Sequence, residues 1–440
     1  MKTKSTRANF KRSCAYANKT LGLDLWPDEL KVAAKYKVYA PTAALFPVFS
    51  SLMTGCKSTA QIKGHMDDTN KRLGKVSSRC ISTIAGLLGE KRTSDYLNEY
   101  LLSLFSTCNS LRKLRLKEFS GQIVAFIDGI DLGEVRHKGG KCDLCLERRH
   151  RNGEVRHFHK LVVLSIMSKH GPIPIYFRFV RQTELTVKHG DTSEERFKQE
   201  CELTCARKIL VEIAGKFGGK LPFDILGGDA LFANAPFMEL VEALGSAGIF
   251  VFNQENRKLY KQAKADFSGE SLGFNIRKES WKNSYCKERK FESNWGKYVD
   301  VNRKNEGKNV RIFETTRTEK NGETKQSMAI TTDKKTITAP LVEVVRAGKW
   351  HDLENGVFNE LATNWGTLKH IFIHDAIAMQ SMIAMQIICL VVSIFYRFSN
   401  LTRGFLRFTE TLCVFFKQMY SSYEALRKKA LCDLVCNSPP

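Results

Sequence analysis

The sequence predicts an α/β protein whose core is a mixed five-stranded sheet with flanking helices. Three observations predict it. Compact apolar runs bounded by turn residues recur between 121 and 254. Stretches with apolar residues three and four apart lie between and around them. The chain is also 43% hydrophobic and 26% charged, a mix that supplies a real core.

Residues 1–120 read as helical. "STAQIKGHMDDTNKRLGKVSSRCISTIAGLLGEK" and "SDYLNEYLLSLFSTCNSLRKLRLKEF" carry the helical period with basic residues between. This suits a DNA-binding region and equally a plain helical bundle. At 121 the texture changes. "GQIVAFIDGIDL", "EVRHFHKLVVLSIMS" and "GPIPIYFRFVRQ" read as three strands, the last two joined by a short turn at His170-Gly171-Pro172. Residues 193–218 form a long helix with acid at its start and glycine at its end. "FDILGG" is a fourth strand, "APFMELVEALG" a helix with proline near its start, and "GIFVFNQE" a fifth strand. The order β-β-β-α-β-α-β describes a meander followed by strands reached through helical crossovers.

Residues 268–338 are rich in Lys, Arg, Asn, Thr and Gly and carry short alternating pieces, the mark of a basic, β-rich insertion. Helical signal resumes at 339 and continues through 400, with a basic helical tail over 401–440. Residues 377–395 are apolar for much of their length. Gln380, Ser381 and Gln386 interrupt them, so a buried core helix is expected rather than a membrane span.

The charge balance speaks of partners. Sixty-nine Lys and Arg face 46 Asp and Glu, a net +23, and the usual partner of such a chain is nucleic acid. The basic N-terminus lacks the apolar core of a secretory signal, and thirteen scattered cysteines fit a reducing compartment. The expected location is cytoplasmic, at the bacterial nucleoid.

Asp128 ends the first strand and Asp229 the fourth. Functional groups of open α/β sheets collect at such carboxyl ends. Two neighbouring carboxylates repel, and divalent cations relieve the repulsion. A third acid, Glu354, falls at helical spacing from Arg346 and Trp350. Three acids and a polyanion suggest two Mg²⁺ ions, about 3.5–4 Å apart, with Mn²⁺ as a substitute, activating a water or 3′-hydroxyl against a phosphodiester.

With these acids in place, the chain resembles the DDE transposases of bacterial insertion sequences, most closely the insertion-sequence-4-like group. The resemblance rests on "VAFIDG", "CDLCLERRHRNGEVRHFHKLVV", "DILGGDALFANAPFMELVEALG" and "RAGKWHDLENGVFNELATNWGTLKH", spread over about 121–374. It implies a ribonuclease H-like core over 121–267 and 339–400, split by the β-rich insertion. It also implies Asp128, Asp229 and Glu354 as catalytic metal ligands, and a homodimer acting on paired transposon ends and target DNA. The group's basic signature around its Glu is altered: His351 stands three residues before Glu354 and Leu361 seven after. Arg346, Lys349, Trp350 and Lys369 are the expected DNA contacts there. Trp281 and Trp295, set among cations in the insertion, suit stacking on unpaired bases; a solvated basic face explains them equally well.

"CDLCLERRHRNGEVRHFHK" is a second constellation. Cys142 and Cys145 precede His150, His157 and His159 at a zinc-type spacing, with Cys142, Cys145, His157 and His159 as the expected ligands of a zinc loop over 137–159. The competing reading is a basic loop with two free thiols.

Overall fold

The computed structural model describes residues 85–110, 121–135, 142–150, 152–168, 171–181, 194–268, 277–281, 295–305, 308–318, 324–332 and 374–398, with shorter pieces within 32–64, at 116 and within 337–363. A short ribbon, β1 (Val32–Ala34) paired with β2 (Lys37–Tyr39), lies where the sequence reads as helical. Helix α1 (Lys91–Ser110) follows. The central elements are β3 (Val124–Val135), β4 (Leu146–Arg149), β5 (Val155–Ser168), β6 (Gly171–Phe179), α2 (Glu194–Lys216), β7 (Ile225–Gly228), α3 (Ala235–Ala243) and β8 (Ala247–Val251). They follow the β-β-β-α-β-α-β order of the sequence, with β4 added inside the cysteine-bearing loop.

The sheet is open and mixed. Its order is β4-β5-β3-β7-β8, with β6 on the other side of β5. β5 is antiparallel to β3 and β6. β7 runs parallel to β3, and β8 parallel to β7. β5 shows why it sits in the middle: its first residues are exposed or half-buried, then Leu161 to Ser168 is buried throughout. A strand covered on both faces loses polar alternation. Asp224 fixes the entry to β7, its carboxylate accepting from the Ile123 amide at 2.7 Å and its own amide donating to the Ile123 carbonyl.

Helix ends carry their local reasons. Asn234 caps α3, accepting from the Phe237 amide, and a proline occupies its first turn. α2 stops where Gly218 and Gly219 take φ of 71° and 86°, a left-handed exit open to glycine.

The basic insertion is not a separate sheet. After α4 (Lys258–Ser268), strands β9 (Arg277–Trp281), β10 (Trp295–Asn305), β11 (Lys308–Thr318) and β12 (Thr324–Thr332) form an antiparallel meander. β12 then pairs with β8, with Ile330 opposite Phe250, so β3 to β12 make one ten-stranded sheet. Val310, Ile312, Phe313, Met328 and Ile330 join the same buried cluster as the core strands. Apolar burial along β11 and β12 fuses the layers where composition alone suggests a boundary.

Past the insertion come α5 (Asn359–Thr363) and α6 (Ala376–Phe398). Buried Leu341, Val345, Leu353, Val357 and Leu361 recur at multiples of four, the stripe of a helix facing a core. The stretch Ala376–Phe395 is long and apolar enough to cross a membrane, yet 83% of it is buried inside the protein. α6 packs on α1 and β6, and Ser381 donates to the Leu88 carbonyl at 2.6 Å. It is a core helix. The tail 401–440 lies outside the described residues.

Candidate functional site

The sheet has two faces, and alternation assigns residues to each. A side chain added at Gly227 would strike Phe126 and Val345, so Phe126 and Val345 share one face. Asp128, two residues further along β3, faces the same way; it does not end the strand as expected, because pairing with β5 carries β3 on to Val135. Gly129 faces the other layer, where an added side chain would meet Glu202 of α2 and Lys160.

Asp128 is buried, and one of its carboxylate oxygens accepts from the Gly129 amide at 3.0 Å. The parallel ladder pairs Val124 with Ile225, Ala125 with Leu226 and Phe126 with Gly227. Carried two residues on, that register sets position 128 beside 229. β7 ends one residue before Asp229, whose carboxylate accepts from the Leu231 amide at 2.9 Å and starts a single 3₁₀ turn. The apolar strand stops at an aspartate because the aspartate opens the next turn. Gly227 and Gly228 are required there by close approach: added side chains would lie 2.6–2.8 Å from Phe126, Val345 and Phe232.

A third acid not anticipated from the sequence lies on the opposite face. Glu202 pairs with Lys160, which also reaches Asp131 at 3.4 Å. Burial pushes the Glu202 carboxyl above its ordinary value, against the pull of Lys160, with the charges of Asp229 and Asp131 adding to the rise. Burial alone would lower Lys160; Glu202 and Asp131 more than offset it. Nothing in the local spacing of α2 marks this glutamate, since its partners come from β3, β5 and the end of β7. Glu354, Arg346, Lys349, Trp350 and Lys369 lie outside the described residues. Trp281 and Trp295 fall at neighbouring positions of adjacent strands, since Trp281 pairs with Gly296.

The cysteine loop forms a compact cluster. The Cys145 amide donates to the Cys142 carbonyl at 2.9 Å, a tight turn that brings the two sulfurs 3.5 Å apart. His159 Nε2 lies 3.1 Å from Cys142 Sγ and 3.4 Å from Cys145 Sγ. The fourth member is His374, its Nε2 3.4 Å from Cys145 Sγ. All four ligand atoms lie within 4.8 Å of one another. Here the structure corrects the expected ligand set. His157 sits two residues back along β5, opposite Val135 and Glu147, and His374 takes the fourth corner. His150 lies apart, near Glu134 at 3.7 Å.

The donor set fits a metal. A tetrahedral ion with Zn–S of about 2.3 Å and Zn–N of about 2.0–2.1 Å separates its ligand atoms by roughly 3.4–3.8 Å. The observed 3.1–3.5 Å separations approach that size, and a disulfide, which needs sulfurs about 2.05 Å apart, is absent from this pair. Burial pushes the Cys142 thiol up to about 11, and burial with the neighbouring His374 and His157 draws His159 down to about 4. His159 Nδ1 is buried with no hydrogen-bond partner among the described residues.

The sequence signal for this site is incomplete. Two cysteines and one strand histidine leave a tetrahedron one ligand short, and His374 is 229 positions beyond Cys145. Its only local mark is its place just before Asp375, which caps α6 by accepting from the Ile377 and Ala378 amides.

His159 pairs across the ladder with Leu132, and Asp128 with Val163. Odd positions of β5 share the Asp128 face, so cluster and aspartate occupy the same side of the sheet, about 13 Å apart along the strands. No protein-family model matches the chain, and no curated protein matches it.

Proposed function

We propose that this chain is a metal-dependent polynucleotidyl transferase, a DNA transposase of the insertion-sequence type with a ribonuclease H-like core. The observation that carries the proposal is the β3–β7 register, which, continued, brings Asp128, inside β3, level with Asp229 just past the end of the parallel strand β7, in a chain of net charge +23. The strand order β6-β5-β3-β7-β8, with β5 alone antiparallel to the central strand β3, supports the core assignment.

In this reading Asp128, Asp229 and Glu354 hold two Mg²⁺ ions, which would lower the barrier by polarising the scissile phosphate and the attacking oxygen. Asp128 is oriented by the Gly129 amide and Asp229 by the Leu231 amide, so neither carboxylate pays to reorganise on binding. The surplus Lys and Arg hold the duplex backbone of the transposon ends and the target. The protein works in the cytoplasm, at the nucleoid, as a homodimer on paired ends.

The test is Mg²⁺-dependent cleavage and joining on DNA carrying the sequences that flank the gene. Wild-type protein should nick at the ends and transfer the 3′-hydroxyl to target. Cleavage without joining would instead favour a ribonuclease H-like nuclease. No cleavage with either Mg²⁺ or Mn²⁺, by protein that still binds DNA, would overturn both.

A further inference from the structure

We infer that Cys142, Cys145, His159 and His374 bind one structural Zn²⁺ that staples the β4–β5 hairpin to the start of core helix α6. The inference does not rest on the transposase reading. It stands on geometry: four soft or borderline donors, two thiols and two imidazoles, converge within 4.8 Å in a region where Cys145 and His159 are fully or almost fully buried.

The donor chemistry selects the ion. Two thiolates and two imidazoles at tetrahedral spacing suit Zn²⁺, whereas Mg²⁺ takes oxygen ligands in octahedra. All four positions are filled by protein side chains, leaving no open corner for water or substrate. That is the pattern of a structural zinc rather than a catalytic one.

Charge decides how the site forms. Zn²⁺ binds with loss of one proton from each cysteine, two protons to solvent in all, while both histidines bind as neutral imidazoles. Two thiolates balance the two positive charges of the ion, so the filled site carries no net charge to bury.

The connection explains the placement. β4 is four residues of charged sequence, LERR, on the outside of β5, a poor strand on its own. α6 begins at Ala376, immediately after His374 and its capping neighbour Asp375. A bond through one ion joins points 229 residues apart and closes a loop that contains β4 to β12. His159 Nδ1, buried without a partner among the described residues, leaves Nε2 as the nitrogen turned to the sulfurs.

The experiment uses the purified full-length chain. Elemental analysis should return about one Zn²⁺ per chain. Replacement by Co²⁺ should give the strong red ligand-field absorption of a tetrahedral site, with thiolate charge transfer in the near ultraviolet. Titrating Zn²⁺ into metal-free protein in weak buffer should release about two protons per ion. His374→Ala should lose most of the zinc, while His157→Ala keeps it. If His374→Ala does not fold, the Co²⁺ spectrum and proton release of the wild-type protein still decide. Overturning results are wild-type protein that takes up no stoichiometric Zn²⁺, a Co²⁺ spectrum of octahedral weakness without thiolate bands, or zinc retained in His374→Ala and lost in His157→Ala.

Discussion

The cysteine–histidine corner and Asp128 lie on the same face of one sheet, about 13 Å apart, and are held in different ways. The corner draws four donor atoms within 4.8 Å of one another, with His159 packed edge-on against Phe179. At the aspartates, each carboxylate accepts from a nearby backbone amide, Asp128 from Gly129 and Asp229 from Leu231. Soft neutral ligands can be preassembled in a folded core. Hard anionic ones are positioned separately and converge only where a cation makes convergence favourable.

The sharpest separation of the two regions comes from Asp128→Asn. DNA cleavage should fall roughly a thousandfold, the rate equivalent of several kcal/mol of lost charge stabilisation, while zinc content stays at the wild-type value. Cleavage assays paired with elemental analysis check this. Activity unchanged in Asp128→Asn would break the comparison. His374→Ala should do the reverse, losing the metal first and lowering the thermal midpoint by several degrees, as expected for removal of a stabilising ligand worth about 2–4 kcal/mol. Calorimetry with and without added Zn²⁺ reads it.

Gly227→Ala probes the seam between β3, β7 and Val345. The added carbon would sit 2.6 Å from Phe126 and 2.8 Å from Val345, costing about 1–3 kcal/mol by overpacking. Denaturant unfolding measures it. Lys160→Met gives the smallest effect, on the opposite face. Glu202 already has a raised pKa in the folded state, so folding favours its protonated form. Its contribution is complete below the ordinary carboxylate value and is lost as pH rises through the raised folded value. Removing Lys160 raises that value further. The variant should therefore match wild type most closely in acid and fall below it toward neutral pH, in midpoints measured across that range.

The parts of the fold that were legible in the sequence are those where a local pattern suffices. VAFID, the long apolar run of β5 and the Asn-Ala-Pro start of α3 announce themselves through burial and capping. β4 was not legible, because LERR has neither apolar alternation nor β-branched residues. The fusion of the insertion with the core was not legible either, since the pairing of Ile330 with Phe250 depends on register across 80 positions. At the metal cluster, the Cys-x₂-Cys spacing marked half of the ligands. Local spacing offers His157 and His159 alike, and only tertiary contact distinguishes them and supplies His374. Glu202 carried no local signal because its carboxyl is defined by Lys160, a residue of another element.

Because β12 anneals onto β8, the basic meander is no detachable cassette. Trimming it away would bare the flank of Ala247–Val251, a short apolar strand whose free amides and carbonyls would then recruit other copies edge to edge. A shortened chain would need a charged or proline-bearing replacement along that border to stay dispersed in solution.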